Sequence, residues 1–108
     1  MKNIEVIKTF IQEEGEEKAK TKNLYIDTKN KQLINYNTVL ARVNGTEEQT
    51  KELEVNINYY SNTTSKIQTS IIRAIRYYKN IGKEFIVVLN GTEKRTAQFE
   101  KILKGIKE

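Results

Sequence analysis

Tyr59-Tyr60-Ser61-Asn62-Thr63-Thr64-Ser65-Lys66 decides the fold, because three kinds of local order meet in it. Before and into it, Leu53, Val55, Ile57 and Tyr59 alternate with Glu54, Asn56, Asn58 and Tyr60, the period of a strand with one buried and one wet face. Within it, Ser61, Asn62, Thr63 and Thr64 each carry a side-chain oxygen able to accept from the orphan N–H groups of a first helical turn. After it, Ile67, Ile71, Ala74, Ile75 and Tyr78 recur at helical spacing to about Asn80, and Gly82 is the natural stop. Lys66, Thr69, Arg73 and Arg76 fall on the opposite side, within about a third of the helix circumference, with Lys79 flanking them.

Upstream, Asn3 suits an N-cap, and Ile4, Ile7, Phe10 and Ile11 follow at helical spacing in a first helix that fades near Gly15. The segment from Glu13 to Lys22 is charged and aperiodic and reads as an exposed linker. Leu24-Tyr25-Ile26-Asp27 then reads as a short strand, and Lys29-Asn30-Lys31 as a hairpin turn. Leu33 to Val43 reads as one longer strand. Its apolar residues change parity between Ile34/Tyr36 and Val39/Ala41/Val43, which predicts a bulge near Asn37-Thr38. Asn44-Gly45-Thr46 and the acidic tract after it form a loop.

Downstream, Phe85-Ile86-Val87-Val88-Leu89 is continuously apolar, so a strand covered on both faces is expected. Asn90-Gly91-Thr92 turns the chain and caps a last helix with Phe99, Ile102, Leu103 and Ile106 as its core stripe. The expected architecture is a single α+β domain over residues 1–108. An antiparallel sheet, made of a three-stranded meander plus a later strand, is packed by helices in the order α-βββ-α-β-α.

Composition narrows the function. A domain of 108 residues buries only about two-thirds of its unfolded surface, a thin margin that leaves room for a homo-oligomer. The chain has neither Cys nor His. It therefore lacks disulfides, a thiolate nucleophile, the commonest metal ligand and the commonest general base near neutral pH. No carboxylates fall at a spacing that forces them onto one site, so no catalytic residue, metal or cofactor is expected, and no enzyme. No apolar run approaches a membrane span, and the N-terminus lacks the apolar core of a secretory signal, so a cytoplasmic protein is expected. The Asn-X-Thr triplets at Asn44, Asn62 and Asn90 read as turn and cap chemistry.

The net charge of +5 is unevenly spread. Residues 1–60 hold nine basic and ten acidic side chains, and residues 61–108 hold ten basic and four acidic. The excess accompanies the central helix and suggests either a polyanionic or acidic partner or simply a solvated face of lysines, which are good solubilising helix formers. Candidate contact residues are Tyr60, Lys66, Thr69, Arg73, Arg76, Tyr77 and Lys79. Of the pairs Tyr59-Tyr60 and Tyr77-Tyr78, one ring each is expected to face the core, with Tyr60 and Tyr77 outward. Thr63, Thr64 and Ser65 at the helix start could hold an anion. Ordinary capping outweighs that reading, because no Gly-rich loop precedes the helix.

Three segments also carry a family resemblance: Lys22-Asn23-Leu24-Tyr25-Ile26, then Leu33-Ile34-Asn35-Tyr36-Asn37-Thr38-Val39-Leu40-Ala41-Arg42, then Asn58 to Gln68. They resemble small proteins of bacterial and archaeal phages and mobile elements with the motifs S-N-L-hydrophobic-I, S-Y-x-T-x-hydrophobic-A and Y-S-x-T-T-S-K. The similarity spans roughly residues 4 to 76. This chain departs from it with Asn35 where Ser is usual, Asn37 where Gly is frequent, and an acidic loop at Thr46–Glu52. The resemblance implies a setting and no mechanism. In that setting the expectation is an accessory protein that inhibits a host defence nucleoprotein complex by stoichiometric binding, as anti-CRISPR proteins do. A small nucleic-acid-binding regulator and a sponge for a phosphate-bearing signal molecule are the alternatives.

Overall fold

The computed structural model describes residues 2–12, 19–45 and 51–105. Residues 13–18 of the expected linker, the loop from Thr46 to Thr50, and Ile106 of the stripe expected on the last helix lie outside them. In chain order the elements are α1 (Asn3–Gln12), β1 (Leu24–Asp27), β2 (Gln32–Asn35), β3 (Thr38–Asn44), β4 (Glu52–Asn56), α2 (Asn62–Asn80), β5 (Ile86–Asn90) and α3 (Glu93–Lys104). The α+β class and the placement of the helices are as expected. The sheet is mixed, in the order β1-β2-β3-β4-β5. Its first four strands form an antiparallel meander, and β5 pairs parallel to β4. Parallel neighbours require a crossover, and α2 provides it.

The expected strand from Leu33 to Val43 is two strands, so the meander has one more strand than the alternation suggested. The chain reverses through Tyr36 and Asn37, with Tyr36 in the left-handed region at φ 54. A bulky side chain is strained there, by roughly 1–3 kcal/mol. Surrounding bonds hold it: the Tyr36 N–H donates to Asn23 O at 3.0 Å and the Asn35 amide donates to the same oxygen at 2.9 Å. The parity change comes from an extra residue further along. Leu33 pairs with Ala41 and Ile34 with Val39, which leaves Leu40 as the bulged residue rather than Asn37-Thr38. Leu40 and Ala41 are consequently both buried.

One face of the sheet supplies Leu33, Val43, Leu53 and Val55 to the core, and the helices cover it with Val6, Ile7, Phe10, Ile71, Ile75 and Phe99. Each fully buried Ile or Leu there stabilises by about 1.5–3 kcal/mol relative to exposure. The other face is open and displays Tyr25, Arg42, Glu52, Glu54, Asn56, Ile86 and Val88.

With a single helical layer and β5 at the end of the sheet, the expectation that Phe85–Leu89 is covered on both faces fails. Val87 and Leu89 are half-buried toward the helices, and Ile86 is 52% exposed. The charged stretch before β1 is tied down over its described part. Ala19 is buried, and Thr21 Oγ1 donates to Asn3 Oδ1 at 2.7 Å while accepting from the N–H groups of Asn23 and Leu24. In the β1–β2 turn, the side chain of Asn30 donates to Asp27 and, with further backbone bonds, holds that carboxyl below its usual range. Among the described residues no helix is long and apolar enough to cross a membrane.

Candidate functional site: the outward ridge of α2

The start of α2 is built for structure. Ser61 is the N-cap and its Oγ accepts from the Thr64 N–H at 3.1 Å. Thr64 is buried, and its hydroxyl donates to Asn35 Oδ1 at 3.0 Å and accepts from Ser61 Oγ. Asn35 in turn reaches Asn23 O. Three segments distant in sequence thus meet in one hydrogen-bonded chain, Asn23–Asn35–Thr64–Ser61.

The inner face of α2 continues this stitching one turn on. Gln68 is fully buried; its amide donates to Asn56 O at 2.8 Å and to Asn58 O at 2.9 Å, closing the backbone where β4 ends. Its Oε1 accepts from Arg95 Nη2 at 2.9 Å. Arg95 also donates to Ser65 Oγ and to Ile57 O, and its guanidinium lies 5.0 Å from the Phe99 ring centroid and 5.5 Å from that of Tyr59. Sequence reasoning passed over Arg95 and Gln68. Both carried a signal: Gln68 interrupts the apolar side of the helix, and Arg95 puts a cation in the first turn of α3, where the helix dipole disfavours it.

Of the anticipated anion site, Thr63 alone is exposed, since Thr64 is buried and Ser65 accepts from Arg95. The anticipated contact residues divide. Lys66, Thr69 and Arg73 form one outward ridge, and with Ser65 and Ser70 they line a shallow depression. Lys66 and Arg73 stand two turns apart, about 10 Å along the axis. Both side chains are exposed and have no hydrogen-bond or ion-pair partner among the described residues. The helix contains no acidic residue. Tyr77 extends the ridge toward α1, where Lys8 Nζ lies 5.9 Å from its ring centroid, and Tyr77 meets the buried Tyr78 edge-on at 5.3 Å.

Arg76 and Lys79 depart from the ridge. The Arg76 guanidinium lies against Gly105, the left-handed C-cap of α3, so closely that a Cβ there would collide with it. A cation at that end of α3 faces unpaired carbonyls and is favoured. Lys79 is rotated roughly 120° from Arg73 by the helical period.

Tyr60 belongs to the other side of the molecule. Its hydroxyl accepts from Asn56 Nδ2 at 2.8 Å, and Asn56 also donates to Val39 O on the open sheet face. The expectation of one inward ring at Tyr59-Tyr60 fails, since they are 58% and 49% exposed; for Tyr77-Tyr78 it holds. β4 ends at Asn56, so strand alternation no longer places these side chains.

The open face has chemistry of a different sign. Asn44 Nδ2 donates to Glu52 and Glu54 at 2.9 and 3.0 Å, and Asn90 Nδ2 donates to Glu54. Arg42, Glu54, Asn56, Asn58 and Asn90 rim a second shallow depression there. Its carboxylates are already satisfied by amides.

Comparison of this chain with protein-family models, with curated proteins and with solved structures gave no match.

Proposed function

We propose that the chain is a non-enzymatic accessory protein of a phage or mobile element that acts by stoichiometric binding to a nucleoprotein surface, with Lys66, Thr69 and Arg73 as the centre of its contact face. In the setting the resemblance implies, that surface belongs to a host defence complex. One observation carries the reading: the inner face of α2 is consumed by the fold, while the two cations of its outer ridge have no partner among the described residues and no acid on their helix. Uncommitted cations on a rigid element are suited to phosphates or to an acidic protein surface. A small phosphate-bearing ligand finds less at the helix start, because the Thr64 and Ser65 hydroxyls already serve Asn35 and Arg95.

The test is a pull-down from a defended host with the wild-type chain and with the double variant Lys66→Glu, Arg73→Glu. The wild type should retain a nucleoprotein effector that the variant loses by at least tenfold. Equal capture by both places the contact elsewhere. Direct nucleic-acid binding is the second reading, favoured by the same two cations. It predicts affinity for naked DNA or RNA that falls by about one log unit per log unit of salt for each phosphate contact. Indifference to both at low salt removes it.

A further inference from the structure

The two ends of the sheet are finished differently. At β1 the edge is partly covered: Lys20 forms an antiparallel bridge with Tyr25, and the Thr21 N–H donates to Leu24 O. At β5 it is bare. The parallel ladder fixes which groups are left over. The Ile86 N–H donates to Lys51 O and Asn90 O accepts from the Ile57 N–H, so Ile86, Val88 and Asn90 turn their backbone groups toward β4. Val87 and Leu89 therefore direct N–H and C=O outward, and no described strand pairs with them. Natural edges are guarded by Pro, by charge, by a bulge or by extreme shortness. Ile86-Val87-Val88-Leu89-Asn90 has no proline or charge, pairs without a register shift over five residues and leaves Ile86 half exposed.

From this geometry we infer that β5 is the edge through which two copies of the chain associate, in an antiparallel pair with its two-fold axis at Val88. The phase of the free groups suits that operation. Val87 and Leu89 stand symmetrically about Val88, so the rotation sets Val87 opposite Leu89 of the second copy as a hydrogen-bonded pair, and the converse pair follows. That satisfies about four backbone bonds with no change in the strand.

The side chains agree. On the open face Val88 meets its own copy and Ile86 meets Asn90, so an uncharged strand faces an identical strand without repulsion. A strand lacking charge offers nothing to select an acidic or basic peptide in its place. The interface is isologous and closes, as two-fold dimers do. An axis normal to the sheet leaves the helices of both copies on one side, so the two α2 ridges would share a surface.

Val88 points to the open face and can be replaced without entering the core. Sedimentation of the wild type at high micromolar concentration should give a dimer, and Val88→Lys, which sets like charges directly opposite, should give a folded monomer by circular dichroism. The chain has no cysteine, so Val88→Cys provides an independent readout. Under mild oxidation it should form a disulfide-linked dimer nearly completely, whereas Tyr25→Cys on β1 should not. A monomeric wild type overturns the proposal, as does a dimer that survives Val88→Lys, or equal cross-linking of both cysteine variants. Should Val88→Lys fail to fold, the cross-linking pair decides alone.

Discussion

The two faces of α2 are made from the same nineteen residues and have opposite relations to the rest of the chain. On the inner face even the polar side chains are spoken for: Thr64 bonds Asn35, and Gln68 bonds two backbone carbonyls and Arg95. Among the described residues no buried side-chain nitrogen or oxygen lacks a partner. On the outer face Lys66 and Arg73 have no hydrogen-bond or ion-pair partner among the described residues. Lysine and arginine are also good helix formers that keep an exposed face soluble, so the ridge marks where a partner could bind without disturbing the fold. The difference gives one face its role in stability and leaves the other as the surface on which the proposed contact rests.

The largest effect should come from Gln68→Leu. Leucine nearly matches the volume, but Asn56 O and Asn58 O lose their donors and Arg95 loses an acceptor, all in partly buried positions. Stranding buried polar groups costs about 1–3 kcal/mol each, so a loss of about 3 kcal/mol is expected. In a domain this size that is a fall in Tm of roughly 12–20 °C by thermal melt.

Arg95→Ala should cost less, about 2 kcal/mol, since its group is only half-buried and water can replace part of what is lost. Arg95→Lys should recover little of this, because an ammonium cannot span Ile57 O, Ser65 Oγ and Gln68 Oε1 at once. Full rescue by lysine in a denaturant titration would show that only charge matters there.

The boundary between what could be read beforehand and what could not follows the range of the forces. Local periodicity exposed the α2 stripe and the opposite placement of Lys66, Thr69 and Arg73, because a helix writes its faces into every third or fourth residue, while cap chemistry narrowed the start of α2 to Ser61–Thr64 without choosing Ser61. Tyr36-Asn37 escaped. Its reversal depends on a strained φ at tyrosine that only distant partners, Asn23 and Thr64 through Asn35, make affordable. A glycine there would have announced the turn. The open side of β5 escaped as well: a continuous apolar run tells of contact on both faces without saying whether the same chain provides it. Alternation rightly sends Tyr60 outward but does not tell which side it reaches, and its hydroxyl bonds Asn56 on the open sheet face, away from the ridge.

The smallest stability effect expected is also the sharpest test of the division. Lys66→Glu with Arg73→Glu inverts two charges on exposed helical positions that have no hydrogen-bond or ion-pair partner among the described residues, and glutamate is as good a helix former as lysine or arginine. Position 66 lies just beyond the first turn, where a negative charge is tolerated or slightly favoured by the helix dipole. The net change in unfolding free energy should stay within about 0.5 kcal/mol, the usual range for surface substitutions. Urea titration of the same double variant used for the pull-down reads this directly. A loss of 2 kcal/mol or more would mean that the ridge is held by the fold after all, and weakened capture would then report damage to the structure instead of to a contact. Stability within the expected range makes the two faces separable, so that any loss of binding belongs to Lys66 and Arg73 themselves.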